Sequence, residues 1–325
     1  MRNAIIITLL IAGGLGNSYA AVNIFEGAPE APPGYTDYKD AQKALITGAV
    51  PRFQNPQEIP ESIVFHDDVV YGTHNDVELS LDIFVPKALD TPRPLMFFIH
   101  GGGWSAGKKE DYLYYCVEFA KLGYVTASVQ YRLTPKHTFP ANIQDVKCAI
   151  GFLRANAEKY HIDSSSVVAI GGSAGGHLSL LAGYAQDPAL GCPDAHYKED
   201  TSVQAVVNIY GVVDCTTPVA IQAHQVINYI GKPYTEAKES YEASSPLHHL
   251  DASDPPTLTI HGTIDELVPI SQADTLHTAL KKLGIVNYYD RIEGWPHSMD
   301  VAQPINDRCR YVIEQFLNIH APIAK

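Results

Sequence analysis

The sequence predicts an α/β fold built on a mostly parallel central sheet with helices on both faces. Apolar runs of strand length recur along the chain, at 95–99, 125–129, 167–170, 203–209, 257–260 and 286–292. Between them lie helix-like stretches, at 111–122, 141–160, 174–185, 270–283 and 301–318. Strands that are apolar throughout, alternating with amphipathic helices, are typical of a parallel sheet that helices cover on both sides.

Two further strands precede this series, at 63–70 and 77–85. The second alternates well, with Leu79, Leu81 and Ile83 on one face, so we expect an antiparallel pair at the edge of the sheet.

The composition along the chain predicts where the folded domain begins. We predict one domain over 63–325, preceded at 21–62 by an irregular leader that is rich in Pro, Gly and Ala. Within the domain, 212–254 interrupts the alternation of strands and helices. A long connection of this kind is either a small cap-like insertion over a site or a plain surface excursion.

The first twenty residues resemble a secretory signal peptide. Arg2 supplies a short positive region, residues 4–15 are apolar, and Ser18 and Ala20 place small residues at −3 and −1 of a cleavage site. A membrane anchor is the alternative, but the apolar run is short for a span. We therefore expect cleavage after Ala20, a secreted or periplasmic location, and a mature protein outside the membrane.

Charge and cysteine spacing exclude other classes. The formal net charge is −13 and no basic stripe is present, which argues against nucleic acid as a partner. Cys116, Cys148, Cys192, Cys215 and Cys309 lack zinc-site spacing, and their odd number leaves a thiol unpaired. Cys192 with Cys215 is one hypothetical disulfide, although spacing does not fix connectivity. The sequence does not indicate an oligomeric state.

The first motif with chemical content is Gly171-Gly172-Ser173-Ala174-Gly175. It stands where the strand at 167–170 gives way to the next helix. A nucleophilic serine on such a sharp turn needs small neighbours, and the helix N-terminus offers N–H groups to an oxyanion. The strand–turn–helix context therefore favours Ser173 as a nucleophile.

The second motif is His100-Gly101-Gly102-Gly103-Trp104, directly after the strand that ends at Ile99. Consecutive glycines leave their N–H groups unobstructed, which suits an oxyanion hole. The alternative is a loop that cradles phosphate, but no Gly-Lys-Ser/Thr sequence follows it. We expect Gly102, Gly103 and Ala174 to donate to a carbonyl oxygen.

An acid and a base follow in the order that this nucleophile requires. Asp265 comes after the strand at 257–260, and His297 comes after the strand at 286–292. Both therefore fall at carboxyl ends of parallel strands, on the same edge as Ser173. This convergence predicts a Ser173–His297–Asp265 triad.

Three other residues are alternatives. Glu266 is a rival acid, while His177 and His261 are rival bases. His177 lies one helical turn beyond Ser173 and should point along the helix, and His261 is better placed to support its loop.

Taken together, these motifs resemble the α/β-hydrolase serine esterases. The resemblance is greatest to the acetylxylan/feruloyl-esterase-like (BD-FAE-like) branch, near the hormone-sensitive-lipase group. It also rests on three further stretches, Tyr131-Arg132-Leu133-Thr134-Pro135, Phe139-Pro140-Ala141 with Asp145, and 261–269. It spans about residues 63 to 318 and implies the triad and oxyanion donors named above.

The resemblance also implies a substrate pocket, in which we place Trp104 and His177. Arg132 and Asp145 are expected to form a structural ion pair beneath the site. No metal or cofactor is required for acyl transfer of this kind. The predicted function is hydrolysis of short acyl or aryl esters, small or oligosaccharide-borne, with acetyl and feruloyl groups of plant polysaccharides among the candidates. Amide hydrolysis on the same triad and a catalytically inactive binding module are the alternatives.

Overall fold

A computed structural model describes residues 23–74, 76–194, 197 and 200–324. The predicted signal peptide at 1–20 lies outside these residues. The strands are β1 (Ile63–His74), β2 (Val77–Pro86), β3 (Arg93–Ile99), β4 (Val125–Val129), β5 (Ile162–Gly172), β6 (Ala205–Ile209), β7 (Thr257–Gly262) and β8 (Asn287–Ile292). They form a sheet in the order β1-β2-β4-β3-β5-β6-β7-β8. Pairs β1–β2 and β2–β4 are antiparallel and the others parallel, so the predicted mostly parallel sheet is confirmed.

Helices cover both faces of this sheet, as predicted. They are α1 (Tyr38–Thr47), α2 (Leu113–Lys121), α3 (Ala141–Ala155), α4 (Ala174–Tyr184), α5 (His224–Ile230), α6 (Lys238–Ala243), α7 (Ser271–Leu283) and α8 (Gln303–His320). One apolar core includes α3, α4 and α7, and a second core on the other face includes α2 and α8. None of the helices in the described ranges is both long and apolar enough to cross a bilayer.

The strand order creates the crevice where the motifs meet. The chain runs from β3 outward to β4 and then returns to β5 on the other side of β3. Loops after β3 and β5 therefore leave in opposite directions and open a gap at the carboxyl edge, where open α/β sheets bind their ligands. The glycine loop follows β3, Ser173 follows β5, and the loops of Asp265 and His297 follow β7 and β8.

The largest differences from the predicted bounds are at α3 and β5. Helix α3 ends at Ala155, not near residue 160, because Asn156 leaves helical geometry at φ −111° and ψ 20°. Strand β5 begins at Ile162, five residues early, because it pairs with Arg93 and Pro94 of β3 through a polar stretch that carries no apolar signal.

The leader contains one helix and packs against the domain. Asp37 caps α1 by accepting hydrogen bonds from the backbone of Lys39 (2.8 Å) and Asp40 (3.2 Å). Ile24 and Leu45 are buried in the core that includes α2 and α8. The described part of this segment is thus held by apolar burial on the domain.

The disulfide differs from the hypothesis drawn from spacing. Cys148 of α3 is bonded to Cys192, and Cys215 is a buried free thiol whose Sγ lies 3.8 Å from the Ser244 carbonyl. Pairing of Cys192 with Cys215 was therefore wrong. The segment that follows α4 folds back onto α3, a long-range contact that spacing alone does not encode.

Candidate active site

Ser173 occupies a strained turn between β5 and α4. Its backbone has φ 56° and ψ −121°, a region that residues with side chains adopt only when the surroundings impose it. Its N–H donates to the Ile209 carbonyl at 2.9 Å, and a Cβ on Gly175 would lie 1.9 Å from the Ile99 oxygen. The glycines of the motif are thus required by close approach of backbone, and the turn projects Ser173 into the crevice.

The three predicted triad residues lie in hydrogen-bonding contact. Nε2 of His297 is 2.9 Å from Oγ of Ser173, and Nδ1 of His297 is 2.7 Å from Oδ2 of Asp265. The His297 side chain is 8% exposed and that of Asp265 is fully buried. The three side chains therefore form a continuous chain of hydrogen bonds, although His297 is 124 positions from Ser173 and 32 positions from Asp265 in the sequence.

Asp265 is held as a carboxylate by four donors. Oδ1 accepts from the N–H groups of Leu267 and Val268, each at 2.9 Å. Oδ2 faces His297 and, at 3.2 Å, Nε2 of His261. Burial alone would raise its pKa, but the hydrogen bonds from the two histidines outweigh burial and lower the pKa to about 2.

The rival acid and base have other roles. His261 is fully buried, and its Nε2 is shared between Asp265 and the Val268 carbonyl at 2.9 Å. It therefore supports the acid loop, as its position suggested. Glu266 is exposed beside Asp265, which is the residue that contacts His297.

The predicted oxyanion donors line the same cavity as Ser173. The Gly102 carbonyl accepts from the N–H groups of Ser105 (3.1 Å) and Ala106 (3.0 Å), which fixes a tight turn. Gly102 has φ 102° and Gly103 has φ 58°. The N–H groups of Gly102, Gly103 and Ala174 donate to no acceptor within the described ranges. All three residues line the cavity that contains Ser173 and His297, so their N–H groups are available to a substrate oxygen.

The cavity has a volume of about 550 Å³. Its walls come from the glycine loop, from the predicted cap region through Ala223, Gln225 and Val226, and from the leader through Phe53. Trp104 also lines it, as predicted, although only 2% of this residue is exposed. Among the described lining residues, two are acidic and none is Lys or Arg.

The prediction that His177 lines the pocket was wrong. His177 is fully buried behind Trp104, whose Nε1–H donates to Nδ1 of His177 at 3.2 Å. Nε2 of His177 lies 2.7 Å from the Ser244 carbonyl. Burial, the largest influence, lowers the pKa of His177 to about 4, so the ring is neutral with its proton on Nε2. The residue positions Trp104 and links α4 to the cap region.

Replacing His177 with Asn is expected to weaken the acid sensitivity of folding. Since the folded pKa lies near 4 and the unfolded one near 6.5, the unfolded state takes up the proton first as the pH falls. Between pH 6.5 and 5.5 the wild type should lose about 1 kcal/mol of unfolding free energy through this group alone. Urea unfolding at both pH values measures the difference. The exposed His161→Asn variant is the control, and an unchanged pH dependence in His177→Asn would contradict the assignment.

The expected ion pair beneath the site is confirmed. Nη2 of Arg132 lies 2.7 Å from Asp145, and the guanidinium and carboxylate form a forked pair that is almost fully buried. Asp145 also accepts from the Arg132 backbone N–H at 2.9 Å. The pair therefore fastens the loop after β4 to α3, below the glycine loop.

The leader also braces the loop that carries His297. The N–H of Tyr35 donates to the Gly294 carbonyl (2.7 Å), and Nε1 of Trp295 donates to Pro32 (3.1 Å). At the other end of the loop, the N–H of Phe53 donates to Val301 at 3.2 Å. Sequence reasoning did not find this role, because the partners are more than 240 positions apart and share no local pattern.

A carboxylate cluster close to the cavity is partly compensated by a buried lysine. Asp67, Asp68 and Asp82 form the one group of possible metal ligands found in the described ranges. Nζ of Lys109 lies among them, 2.8 Å from Asp82 and 3.2 Å from Asp68. The lysine supplies the positive charge there.

Comparison with known proteins fits this geometry. The BD-FAE family model matches residues 81–280. The chain belongs to this family. The matched segment contains Ser173, the glycine loop and Asp265, and it ends before His297. The predicted resemblance is thereby confirmed.

Two curated relatives from Mycobacterium tuberculosis are similar over much of the chain. The probable carboxylic ester hydrolase LipM is 35% identical over 219 residues, which cover 64% of this chain and 50% of the relative. Esterase LipC is 33% identical over 244 residues, which cover 72% and 59%. The chain thus spans about half the length of the curated relatives it matches.

A solved structure extends the likeness to three dimensions. The apo form of Thermogutta terrifontis esterase 2 matches with a TM-score of 0.70 and 26% identity, over 84% of this chain and all of that one. The butyrate-bound form of the same esterase matches with a TM-score of 0.69 and 25% identity, over 81% and 96%. The α/β-hydrolase fold predicted from the sequence is therefore confirmed.

Proposed function

We propose that this BD-FAE family protein is a serine carboxylic-ester hydrolase that acts on short acyl or aryl esters. The observation that carries the proposal is the contact of Ser173 with His297 and of His297 with Asp265, at 2.9 and 2.7 Å. The unpaired N–H groups of Gly102, Gly103 and Ala174 beside Ser173 support it, because acyl transfer needs donors where the oxyanion forms.

The reaction would proceed in two steps. The Asp265 carboxylate holds the proton of His297 on Nδ1, which leaves Nε2 free to take the Ser173 proton. Ser173 Oγ attacks the ester carbonyl, and the backbone N–H groups stabilise the oxyanion. His297 then protonates the leaving alkoxide, which departs and leaves an acyl-serine. Water, deprotonated by His297, attacks this intermediate and releases the acid.

Short acyl chains are favoured by two observations. The cavity volume of about 550 Å³ is modest, and a related esterase of the same fold binds butyrate. The resemblance of the motifs points further, to acetyl and feruloyl groups of plant polysaccharides as natural substrates. Acetylated xylan and methyl ferulate, assayed beside p-nitrophenyl acetate, test that finer assignment.

Covalent labelling tests the proposed chemistry directly. A fluorophosphonate should modify Ser173, which peptide mass spectrometry would locate, and p-nitrophenyl butyrate should be hydrolysed faster than the matched anilide. Hydrolysis of the anilide at a comparable rate would indicate an amide hydrolase, because a serine hydrolase of either kind cleaves the activated ester more readily. A folded protein that takes no label and hydrolyses no ester would contradict the proposal and favour an inactive binding module.

We also propose that the protein is exported to the cell exterior or the periplasm. The pattern of residues 1–20 supports export, and so does the Cys148–Cys192 bond, since disulfides persist in oxidising compartments. After expression in a secreting host, the mature chain is expected to begin at Ala21 in N-terminal sequencing. An intact Met1 on protein recovered from the cytoplasm would contradict this.

A further inference from the structure

The cavity has two halves of different chemistry, one on each side of the sheet edge. The apolar half belongs to the core that includes α3 and α4, with Trp104, Val212, Ala223, Val226 and Val268. The other half belongs to the core that includes α2 and α8, with Tyr112, Tyr115, Tyr210, Asp300 and, at its rim, Phe53. Ser173 and His297 lie between them.

Asp300 is a buried carboxylate that the hydrolytic mechanism does not use. It is 5% exposed, and no cationic side chain of the described ranges pairs with it. Tyr210 donates its hydroxyl to Oδ1, and Tyr115 donates to Oδ2 at a long 3.3 Å. A carboxylate can accept about four hydrogen bonds, so capacity for a further donor remains on a group that borders the cavity. Burial outweighs these hydrogen bonds and raises its pKa.

The network holds Asp300 in place. Nδ2 of Asn306 donates to Oη of Tyr115 (2.9 Å) and to the Asp300 carbonyl (3.0 Å). These residues are fixed before any ligand arrives, so a hydrogen bond offered to the carboxylate needs little reorganisation.

The neighbouring residues define what such a ligand would be. Asp111 is the other acidic residue of the lining, and the described lining residues include no Lys or Arg, so the cavity offers an anionic group no cationic partner. Phe53 and Tyr115, with ring centroids 6.3 Å apart, present apolar surface beside the acceptor. Acceptor oxygens next to aromatic walls suit a neutral group with hydroxyls on a carbon skeleton.

The position of the acceptor indicates which part of an ester it would meet. The Tyr210 ring lies 4.7 Å from the His297 ring, and Asp300 is three residues after His297. Since His297 protonates the departing alcohol in the proposed reaction, a group bound by Asp300 lies on the alcohol side.

We propose that this polar half is a subsite for a neutral polyhydroxylated alcohol, in which Asp300 accepts a hydroxyl hydrogen bond and Phe53 covers the carbon skeleton. The inference rests on the proposed esterase function. The apolar half would then take the acyl chain, so the enzyme would prefer acyl esters of glycerol-like or sugar-like alcohols to those of plain alkanols.

Matched esters test the subsite. For purified wild-type protein, kcat/KM for 2,3-dihydroxypropyl butyrate should exceed that for propyl butyrate by about tenfold, the effect of one well-formed hydrogen bond. Asp300→Asn should lower the ratio, because the amide offers one acceptor oxygen in place of two. The ratio is the readout because a general loss of activity affects both esters equally. Asp254→Asn, a buried carboxylate outside the cavity, is the matched control and should keep the wild-type ratio.

A second variant guards against a folding defect in Asp300→Asn. Phe53 is only half-buried, and Phe53→Ala should raise KM for both esters, because both would place a three-carbon skeleton beside the ring, while the ratio of kcat/KM values stays near that of the wild type. A wild-type ratio near one, or a ratio that Asp300→Asn leaves unchanged, would overturn the subsite while esterase activity stands. Butyrylcholine and 3,3-dimethylbutyl butyrate differ in that the first carries a cationic group where the second is neutral. Faster turnover of butyrylcholine would mean that the polar half of the cavity binds a cation, which would also overturn the proposed subsite. Absence of propyl butyrate hydrolysis and of Ser173 labelling would instead refute the proposed function.

Discussion

Replacing Ser173 with alanine is expected to lower kcat/KM for p-nitrophenyl butyrate by about 10⁴- to 10⁶-fold while the protein stays folded. The substitution removes the atom that would form the acyl intermediate, Oγ, which lies 2.9 Å from His297. The backbone donors and the cavity remain, so a residual rate above that of water is expected. Spectrophotometric release of p-nitrophenol measures the loss, and circular dichroism checks the fold.

The control for this variant is another serine of the same chain. Ser165→Ala changes an exposed hydroxyl at the other end of β5 and should retain wild-type turnover and fluorophosphonate labelling. Ser173→Ala should lose both. Substantial turnover by folded Ser173→Ala would mean that another nucleophile acts in this cavity, and the assignment of the triad would fail.

The elements of the site that sequence reasoning placed correctly are those that the parallel sheet brings together. Asp265 and His297 each follow an apolar run, and the carboxyl ends of adjacent parallel strands share an edge. Knowing where each strand ended was therefore enough to bring both residues near Ser173. The glycine loop was found in the same way, since β3 pairs with β5.

Contacts across unrelated segments were not predictable by this reasoning. The resemblance suggested His177 as a pocket residue, but its partner Ser244 lies 67 positions away in the cap region. Phe53 reaches the cavity because the leader runs beside the His297 loop, and no periodicity relates 23–62 to 293–303. Of these residues, only Asp300 could have been suspected from the sequence, because it is an acidic residue three positions after the predicted base. The spacing did not show that its side chain is buried.

Replacing Asp265 with asparagine is expected to reduce kcat by about 10⁴-fold with the geometry of the site preserved. The amide oxygen can still accept from Leu267 and Val268, so the loop should keep its shape. The amide NH₂ would then replace Oδ2, which faces Nδ1 of His297 at 2.7 Å. A donor at this point forces the imidazole proton onto Nε2, where it faces Ser173 and prevents proton removal.

The neighbouring Glu266 provides the decisive comparison. Glu266→Gln makes the same chemical change one residue away, at an exposed position, and should leave kcat within about twofold of wild type. Because the pKa of Asp265 is about 2, its carboxylate is charged at both pH 6 and pH 8, and the loss in Asp265→Asn should be large at both values. Steady-state kinetics of the two variants at these pH values measure both effects. If Glu266→Gln were inactive and Asp265→Asn active, Glu266 would be the residue that holds the proton on Nδ1 of His297. The assignment of Asp265 as the acid of the triad would then be wrong.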